Sequence, residues 1–207
     1  MAVLSLVEVQ DLACERGGRR VFRHLSFAVA TGQTLTLEGP NGAGKTSALR
    51  ILAGLLLPSE GEVKVHMSAG YIVSESEERA RLSGWVGHYD GVKGQLTVKE
   101  NAEFFAALHG ARVGVAGILD RVGLARIADL PAQYLSAGQR RRLGLARLIL
   151  SARPLWLLDE PLSSLDAAGR RLTAELIGEH CDAGGIAIVA THETLGLDAT
   201  RFFIGQS

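Results

Sequence analysis

The chain has 207 residues, of which 47% are apolar, and this length allows one domain, or two closely joined subdomains, with a sizeable core. Lysine plus arginine number 22, as do aspartate plus glutamate, so the charge balance argues against a protein that finds nucleic acid by bulk electrostatics. The two cysteines, Cys14 and Cys181, exclude a disulfide scaffold or a thiolate zinc cluster and favour a reducing compartment, with the cytoplasm as the default.

The first residues, MAVLSLVEVQDLACERGG, carry acidic groups at Glu8 and Asp11 and no basic region before an apolar core. This is not the pattern of a signal peptide. Apolar runs such as LARLILSARPLWLL are interrupted by charge or fall short of the roughly 20 residues that a membrane-spanning helix needs. We therefore expect any membrane role to come through a partner.

The first strong motif joins a predicted strand, QTLTLEG, to a predicted helix, TSALRILAGLL. Between them, GPNGAGKTS has phosphate-loop spacing, and Gly39, Gly42 and Gly44 let consecutive backbone N–H groups turn toward one anion. Lys45 is a point charge for the terminal phosphates, and the Thr46 hydroxyl is placed to ligate magnesium. The predicted nucleotide-binding loop consists of Gly39, Pro40, Asn41, Gly42, Ala43, Gly44, Lys45, Thr46 and Ser47.

Two further strands are predicted in EVKVHM, after the turn LPSEGE, and in SGWVG. From Gly91 to about Ser151 the pattern becomes helical. Thr97 and Glu100 form a capping box that opens the helix VKENAEFFAALHG, and Gly110 is placed to end it. VAGILDRVGL and AGQRRRLGLARLILSA predict two more helices.

LWLLDE supplies the second half of the candidate site. This apolar strand ends at Asp159 and Glu160, which predicts that Asp159 holds magnesium through a bound water and that Glu160 is a general base or orients the attacking water. Carboxylates at strand ends are also common helix caps, but the phosphate loop favours the catalytic interpretation. A helix in AAGRRLTAELIGEH and a strand in GIAIVATH restore the alternation, which predicts a mostly parallel sheet covered on both faces.

The segment LSAGQRRRLGLAR, residues 135–147, resembles the signature of ATP-binding cassette (ABC) ATPases, and DEPLSSLD and ATHETL follow in the order of that family. The resemblance covers nearly the whole chain. It implies an α/β fold: a P-loop NTPase (RecA-like) core with an inserted helical subdomain and an N-terminal antiparallel β element. Residues 1–207 would form a single ABC ATPase domain, with the core in 1–90 and 152–207 and the helical subdomain in 91–151. The resemblance also implies an ATPase that uses ATP and Mg²⁺.

Further roles follow from the same resemblance. His192, in ATHETL, matches the family's switch histidine, which contacts the γ-phosphate. The signature of the family faces the γ-phosphate bound by the opposite subunit, which implies a nucleotide-dependent, head-to-tail homodimer. The residues that would complete the partner's site are Ser136, Ala137, Gly138, Gln139 and, in the D-loop, Asp166. The arginines at 140–142 are interpreted as a polar helix face in preference to a nucleic-acid patch.

The stretch SGWVGHYDGVKG departs from the family pattern. Tyr89 stands where the family normally has a glutamine. In the family, that glutamine contacts magnesium and lies beside the groove that receives the membrane partner. Gln95 lies too far along the chain to replace it. A phenol is a poor neutral ligand for magnesium. HYD also lacks the spaced ligands of a zinc or iron site, and no nucleophile marks a catalytic His–Asp pair. We therefore interpret His88 and Tyr89 as a surface that couples nucleotide state to another protein.

A second departure concerns the base of the nucleotide. Arg16 stands where the family usually has an aromatic residue that stacks on adenine. A guanidinium plane can also stack on a π-face, so we predict that Arg16 contacts the base. Phe22 or Val21 is expected to supply apolar contact.

These replacements are similar to those of the ATP-binding subunits of cytochrome c maturation systems. The similarity implies a peripheral protein on the cytoplasmic face of the inner membrane, bound to an integral membrane subunit of the CcmB type with CcmC- and CcmD-like proteins, and no nucleic-acid partner. Hydrolysis would serve heme handling or export, including release of a heme-loaded chaperone. The alternatives are an ATPase for a lipid or drug exporter, and a soluble cassette protein that acts on ribosomes or DNA. No heme-attachment motif accompanies His66, His88 or His109.

Overall fold

The computed structural model describes residues 3–87, 91–111 and 114–205. Within these ranges the chain forms nine strands, six α-helices and two short 3-10 helices. The strands are β1 (Leu4–Arg16), β2 (Arg19–Ala30), β3 (Thr34–Glu38), β4 (Glu60–Met67), β5 (Ile72–Val73), β6 (Ser83–Val86), β7 (Leu155–Asp159), β8 (Ile186–Ala190) and β9 (Thr200–Phe203). The helices are α1 (Lys45–Leu52), α2 (Ser76–Leu82), α3 (Val98–His109), α4 (Val115–Arg121), α5 (Ala137–Ser151) and α6 (Ala167–Asp182), with 3-10 turns at Ala125–Ile127 and Ala132–Tyr134.

Five strands form a parallel sheet in the order β6-β7-β8-β3-β9. The central strands β3, β7 and β8 are almost completely buried, as expected for strands that are covered on both faces. The predicted parallel sheet is therefore confirmed. The sequence pattern did not predict β9, because its side chains are mostly exposed and show no apolar alternation.

The other four strands form an antiparallel sheet in the order β2-β1-β4-β5, which confirms the predicted N-terminal β element. β1 and β2 meet at a two-residue turn, Gly17 and Gly18, with φ of 57° and 71°. A two-residue hairpin turn with positive φ at both positions favours glycine at each. Arg16 therefore lies beside this turn, opposite Arg19 in the strand register.

The two faces of the parallel sheet belong to separate hydrophobic clusters. On β7, Leu155 and Leu157 join a cluster with α1 and the antiparallel sheet, whereas Trp156 and Leu158 join a cluster with the later helices. Successive side chains of a strand point to opposite faces, so one buried strand connects the two clusters. Residues of both α5 and α6 pack in the second cluster, and the division of the chain at 91–151 stays a prediction.

Helix α3 begins and ends as the sequence predicts. Thr97 Oγ1 accepts a hydrogen bond from Glu100 N at 3.1 Å, and Glu100 Oε2 accepts one from Thr97 N at 2.8 Å, which completes the capping box. Gly110 ends the helix in a left-handed conformation, with φ of 62°. Asn101, which the sequence analysis missed, is fully buried and bonds to both backbone groups of Lys93.

His180, on α6, forms a buried contact with consequences for stability. Its ring stacks on Trp156 with centroids 4.0 Å apart. Gly185 leaves room for it, since an added Cβ there would lie 2.2 Å from His180 Nε2. Burial lowers the pKa of His180 from 6.5 to about 4, so the folded protein holds the neutral ring.

We expect His180 to make the protein less stable as the pH falls from about 6.5 toward 4, because only the unfolded chain binds a proton in this range. The loss at pH 5 should be about 2 kcal/mol in the free energy of unfolding. Urea unfolding at pH 7 and pH 5 measures it. His180→Phe keeps a ring but cannot titrate, so its loss should be smaller by that amount, and equal losses in both proteins would contradict the assignment.

Candidate nucleotide-binding site

The phosphate loop connects β3 to α1 at the carboxyl edge of the parallel sheet. Gly39, Gly42 and Gly44 have φ of 147°, 83° and 99°, values that side-chain-bearing residues rarely adopt. A Cβ atom at position 44 would also lie 2.6 Å from Val21 Cγ1 and 2.7 Å from Phe22 Cδ1. Glycine at position 44 therefore lets the loop pack directly on β2.

The loop residues differ in what they offer a ligand. Pro40, Asn41 and Gly42 are exposed, whereas Ala43 is buried. Ser47 is also buried, with 8% of the residue exposed. Its side chain therefore faces the interior of the fold.

Lys45 is held across the loop before any ligand arrives. Its Nζ donates to Gly39 O at 2.7 Å and to Pro40 O at 3.2 Å, and only 8% of the residue is exposed. A partly desolvated ammonium group interacts with an anion more strongly than one in bulk water. The geometry supplies a pre-positioned positive charge at the start of α1.

Thr46 and Asp159 meet although 113 positions separate them. Thr46 Oγ1 donates to Asp159 Oδ2 at 2.8 Å, and Asp159 ends β7 with only 6% of its surface exposed. Both side chains offer oxygen, the ligand type that magnesium prefers. Among the described residues no group of three or more His, Cys, Asp or Glu side chains could hold a metal. At this point Thr46 and Asp159 would offer an ion two protein ligands. Magnesium commonly binds in this way, with phosphate and water as its other ligands.

Glu160 and His192 form a pair at the same edge of the sheet. His192 Nδ1 lies 3.1 Å from Glu160 Oε1 and 3.0 Å from Oε2, and the imidazole side chain is mostly exposed. Glu160 N donates to Ala190 O at 2.8 Å, which attaches the residue to the end of β8. Glu160 has a φ of 50°, an uncommon backbone conformation for a residue with a side chain. The pair combines a carboxylate and an imidazole, which are side chains that commonly act as general acids and bases.

The signature residues form a second cluster at the start of α5. Ser136 Oγ accepts from Gln139 N at 3.2 Å, while Gln139 Oε1 accepts from Ser136 N at 2.8 Å, which makes a second capping box. Ala137 is exposed. A Cβ at Gly138 would lie 2.9 Å from Ser164 O, so glycine lets α5 approach the loop that follows Glu160.

Asp166, which the family resemblance places in the D-loop, has two contacts within the chain. Its Oδ1 accepts from Gly169 N at 2.7 Å, capping α6, and from Arg142 Nη2 at 3.0 Å. The hydrogen bond from Gly169 N is the largest cause that lowers the pKa of Asp166, and Arg142 lowers it further. The ionised carboxylate therefore links α5 to the start of α6.

Comparison with known proteins agrees with this geometry. A family model described as "ABC transporter" matches residues 22–163. A "Cytochrome c biogenesis ATP-binding export protein CcmA" from Rhodopseudomonas palustris (strain BisB5) is 46% identical to 96% of this chain, over 97% of its own length. A protein of the same name from Paramagnetospirillum magneticum is 43% identical, over 95% of this chain and 92% of that protein. The chain belongs to the ABC transporter family, in its CcmA group.

Two solved structures show the same fold. A "Putative ABC transporter (ATP-binding protein) from Pyrococcus furiosus" superposes with a TM-score of 0.81 over 97% of this chain and 98% of that one, at 22% identity. A structure titled "Structure of ATP binding subunit of ABC transporter" gives a TM-score of 0.79 over 91% of this chain and 80% of that one, at 24% identity. The α/β ABC ATPase fold, ATP binding and ATP hydrolysis follow from family membership.

Two sequence-based expectations for this ABC ATPase change in the structure. Of the two residues expected to supply apolar contact to the base, Phe22 is buried against Gly44, whereas Val21 is only partly covered and its contact stays a prediction. The prediction that residues 140–142 form a polar helix face is wrong for Arg141, because this side chain is buried. Arg16 is exposed beside the hairpin turn, and its contact with the base stays a prediction.

The predicted coupling residues His88 and Tyr89 lie outside the residues that the structure describes. Two other histidines have partners within the chain: His66 Nε2 lies 2.9 Å from Glu8 Oε2, and His109 Nδ1 lies 3.3 Å from Arg153 Nη2. In the described part of the chain, no helix has both the length and the hydrophobicity needed to cross a bilayer.

Proposed function

We propose that this ABC ATPase is the energy-coupling subunit of a membrane complex for cytochrome c maturation. The observation that carries the proposal is the 42–46% identity, over nearly the whole chain, with proteins named as cytochrome c biogenesis ATP-binding export proteins. The geometry at the carboxyl edge of the sheet supports the hydrolytic part of the function, and the relatives support its biological setting.

The proposed hydrolytic roles follow from the contacts of each residue. Backbone N–H groups of the phosphate loop and Lys45 bind the phosphates. Thr46 and Asp159 would hold Mg²⁺, whose chemistry is to neutralise charge on the phosphate oxygens. Glu160 accepts a proton from the attacking water or orients it, and His192 holds the carboxylate and reaches the γ-phosphate.

The proposed active unit is a head-to-tail homodimer with ATP between the subunits. Residues 136–139 and Asp166 would complete the site of the second copy, as the family resemblance implies. Support comes from the exposure of Ser136 and Ala137 at the start of α5, where backbone N–H groups and the helix dipole favour an anion.

The proposed setting is the cytoplasmic face of the inner membrane. The chain would bind an integral membrane subunit of the CcmB type, with CcmC- and CcmD-like proteins, through the coupling residues His88 and Tyr89. Hydrolysis would serve heme handling or export and the release of a heme-loaded chaperone. The equal numbers of acidic and basic residues, 22 of each, support a protein partner over nucleic acid.

We expect replacement of the gene by its Glu160→Gln form to abolish heme attachment to c-type cytochromes in the source cell. Heme staining of membrane proteins after denaturing electrophoresis measures attached heme, and total cellular heme is measured alongside. Loss of attached heme at unchanged total heme supports the proposal, because it separates maturation from heme synthesis. Normal c-type cytochromes would overturn it and direct the search to another exporter and its co-purifying membrane protein.

A further inference from the structure

Arg141 carries a buried guanidinium that the site described above does not use. It lies in the second turn of α5, and only 5% of the residue is exposed. Its Nη1 donates to Gly87 O at 2.8 Å, and its Nη2 donates to Ser163 Oγ at 2.9 Å. Burial of a charge is unfavourable unless hydrogen bonds compensate it, so these acceptors are part of what keeps the group inside the protein.

The two acceptors belong to segments with different proposed roles. Gly87 follows β6 and directly precedes His88 and Tyr89, the predicted coupling residues. Ser163 lies in the loop between β7 and α6, and its backbone N donates to Glu160 O at 3.2 Å. The Arg141 guanidinium therefore connects the end of β6 to the turn that holds Glu160, the proposed catalytic carboxylate.

Two other arginines, both less buried than Arg141, hold the same loop. Arg142 Nη2 pairs with Asp166 Oδ1 at 3.0 Å, and Arg170 Nε donates to Leu165 O at 3.1 Å. Solvent weakens contacts of this kind. The bonds of Arg141 are charge-assisted; the bond to Gly87 O is buried and the bond to Ser163 Oγ is partly buried, and such bonds are stronger where water is excluded. Arg141 is thus the most buried of the three arginines that hold the loop.

We propose that Arg141 is a positioning residue that couples the end of β6 to the loop of residues 160–166. The inference rests on the proposed function, because it makes the setting of this loop a condition for ATP turnover. A displacement at Gly87 is transmitted to Ser163 through a rigid fork of two N–H donors. Lysine keeps the charge but cannot present two donors in this fixed geometry.

The test compares Arg141→Lys and Ser163→Ala with the matched control Arg140→Lys. Arg140 is exposed on the same helix, and its guanidinium donates to Gln133 O at 2.9 Å. ATP turnover is measured on the full-length chain together with the membrane proteins that it retains on purification. Both test variants should lower kcat about tenfold and leave KM for ATP within about twofold, since small misplacements at a reacting group reduce turnover strongly. The control should stay within about twofold in both parameters.

The double variant distinguishes a shared link from two independent effects. Because Arg141→Lys and Ser163→Ala remove the same connection, their combination should lower kcat no further than the stronger single change. Multiplying losses in the double variant would overturn the coupling. A fall in thermal midpoint with kcat unchanged would also overturn it, because that result shows a structural role alone.

Two further results bear on the role of Arg141: the folding of Arg141→Lys and the turnover of Glu160→Gln. If Arg141→Lys does not fold, Ser163→Ala alone decides, since it removes a single hydroxyl from a loop, and wild-type turnover in that variant rejects the proposal. Glu160→Gln in the same assay distinguishes failure of the coupling role of Arg141 from failure of the proposed hydrolytic site. If Glu160→Gln loses turnover and Ser163→Ala does not, only the coupling role is rejected. Wild-type turnover of Glu160→Gln rejects the hydrolytic site itself.

Discussion

Replacement of Glu160 by glutamine is expected to lower ATP turnover about 100-fold or more while ATP still binds. Glutamine has nearly the same shape, but it cannot accept a proton from the attacking water and pairs only weakly with His192. Loss of one positioned general base typically costs 10²–10⁴-fold, and 100-fold corresponds to about 2.7 kcal/mol in the activation barrier. The phosphates are held by other groups, chiefly Lys45 and the loop backbone, so affinity should change little.

Phosphate release measures turnover in this experiment, and calorimetric titration with ATP and magnesium measures binding. Glu175→Gln is the matched control, because Glu175 is exposed on α6 and has no role in the proposed site. Turnover of Glu160→Gln within about threefold of wild type would remove Glu160 from its role. Loss of ATP binding in this variant would instead show that the carboxylate stabilises the loop.

Replacement of Lys45 by alanine is expected to weaken ATP binding about 10- to 100-fold and to lower turnover with it. Lys45 Nζ is buried against Gly39 O and Pro40 O, so its charge is already in place before the phosphates bind. Hydrogen bonds to charged groups contribute about 1.5–3 kcal/mol, which gives this range of affinity. The change should affect binding more than folding, because the two carbonyls lie beside the exposed part of the loop.

Calorimetric titration with ATP tests the Lys45 prediction, with Lys64→Ala as the control. Lys64 lies on β4, where its Nζ pairs with Glu62 and Gln10. Urea unfolding of both variants shows whether the fold is intact. Unchanged affinity in Lys45→Ala would mean that the backbone of the loop suffices for the phosphates.

Local sequence predicted much of the fold and the centre of the candidate site. The positive φ values of the phosphate-loop glycines are a property of the local backbone, and the capping box joins Thr97 and Glu100, which are three positions apart. Fully apolar runs such as LWLLD predicted the buried parallel strands for a similar reason, since burial on both faces removes the polar alternation.

Pairing of Glu160 with His192 follows from two facts together. Each residue comes at or just after the end of a predicted strand, and parallel strands end at the same edge of a sheet. The strand order, with β7 beside β8, brings the two ends together, and only the folded chain shows this order. The carboxylates at the end of the apolar strand predicted Glu160 and the family resemblance predicted His192, but the distance between the two side chains is set by the folded chain.

The sequence by itself determined the phosphate loop, both ends of α3, the alternation of strands and helices, and the family. Only the tertiary structure decided which charged and aromatic groups are inside. Arg141 looked like part of a polar face, yet it is buried, and its hydrogen bonds go to Gly87 and Ser163, 54 and 22 positions away. Phe22 looked available to a base, yet Gly44 covers it. Burial depends on which distant segments pack against a residue, and no local pattern contains that information.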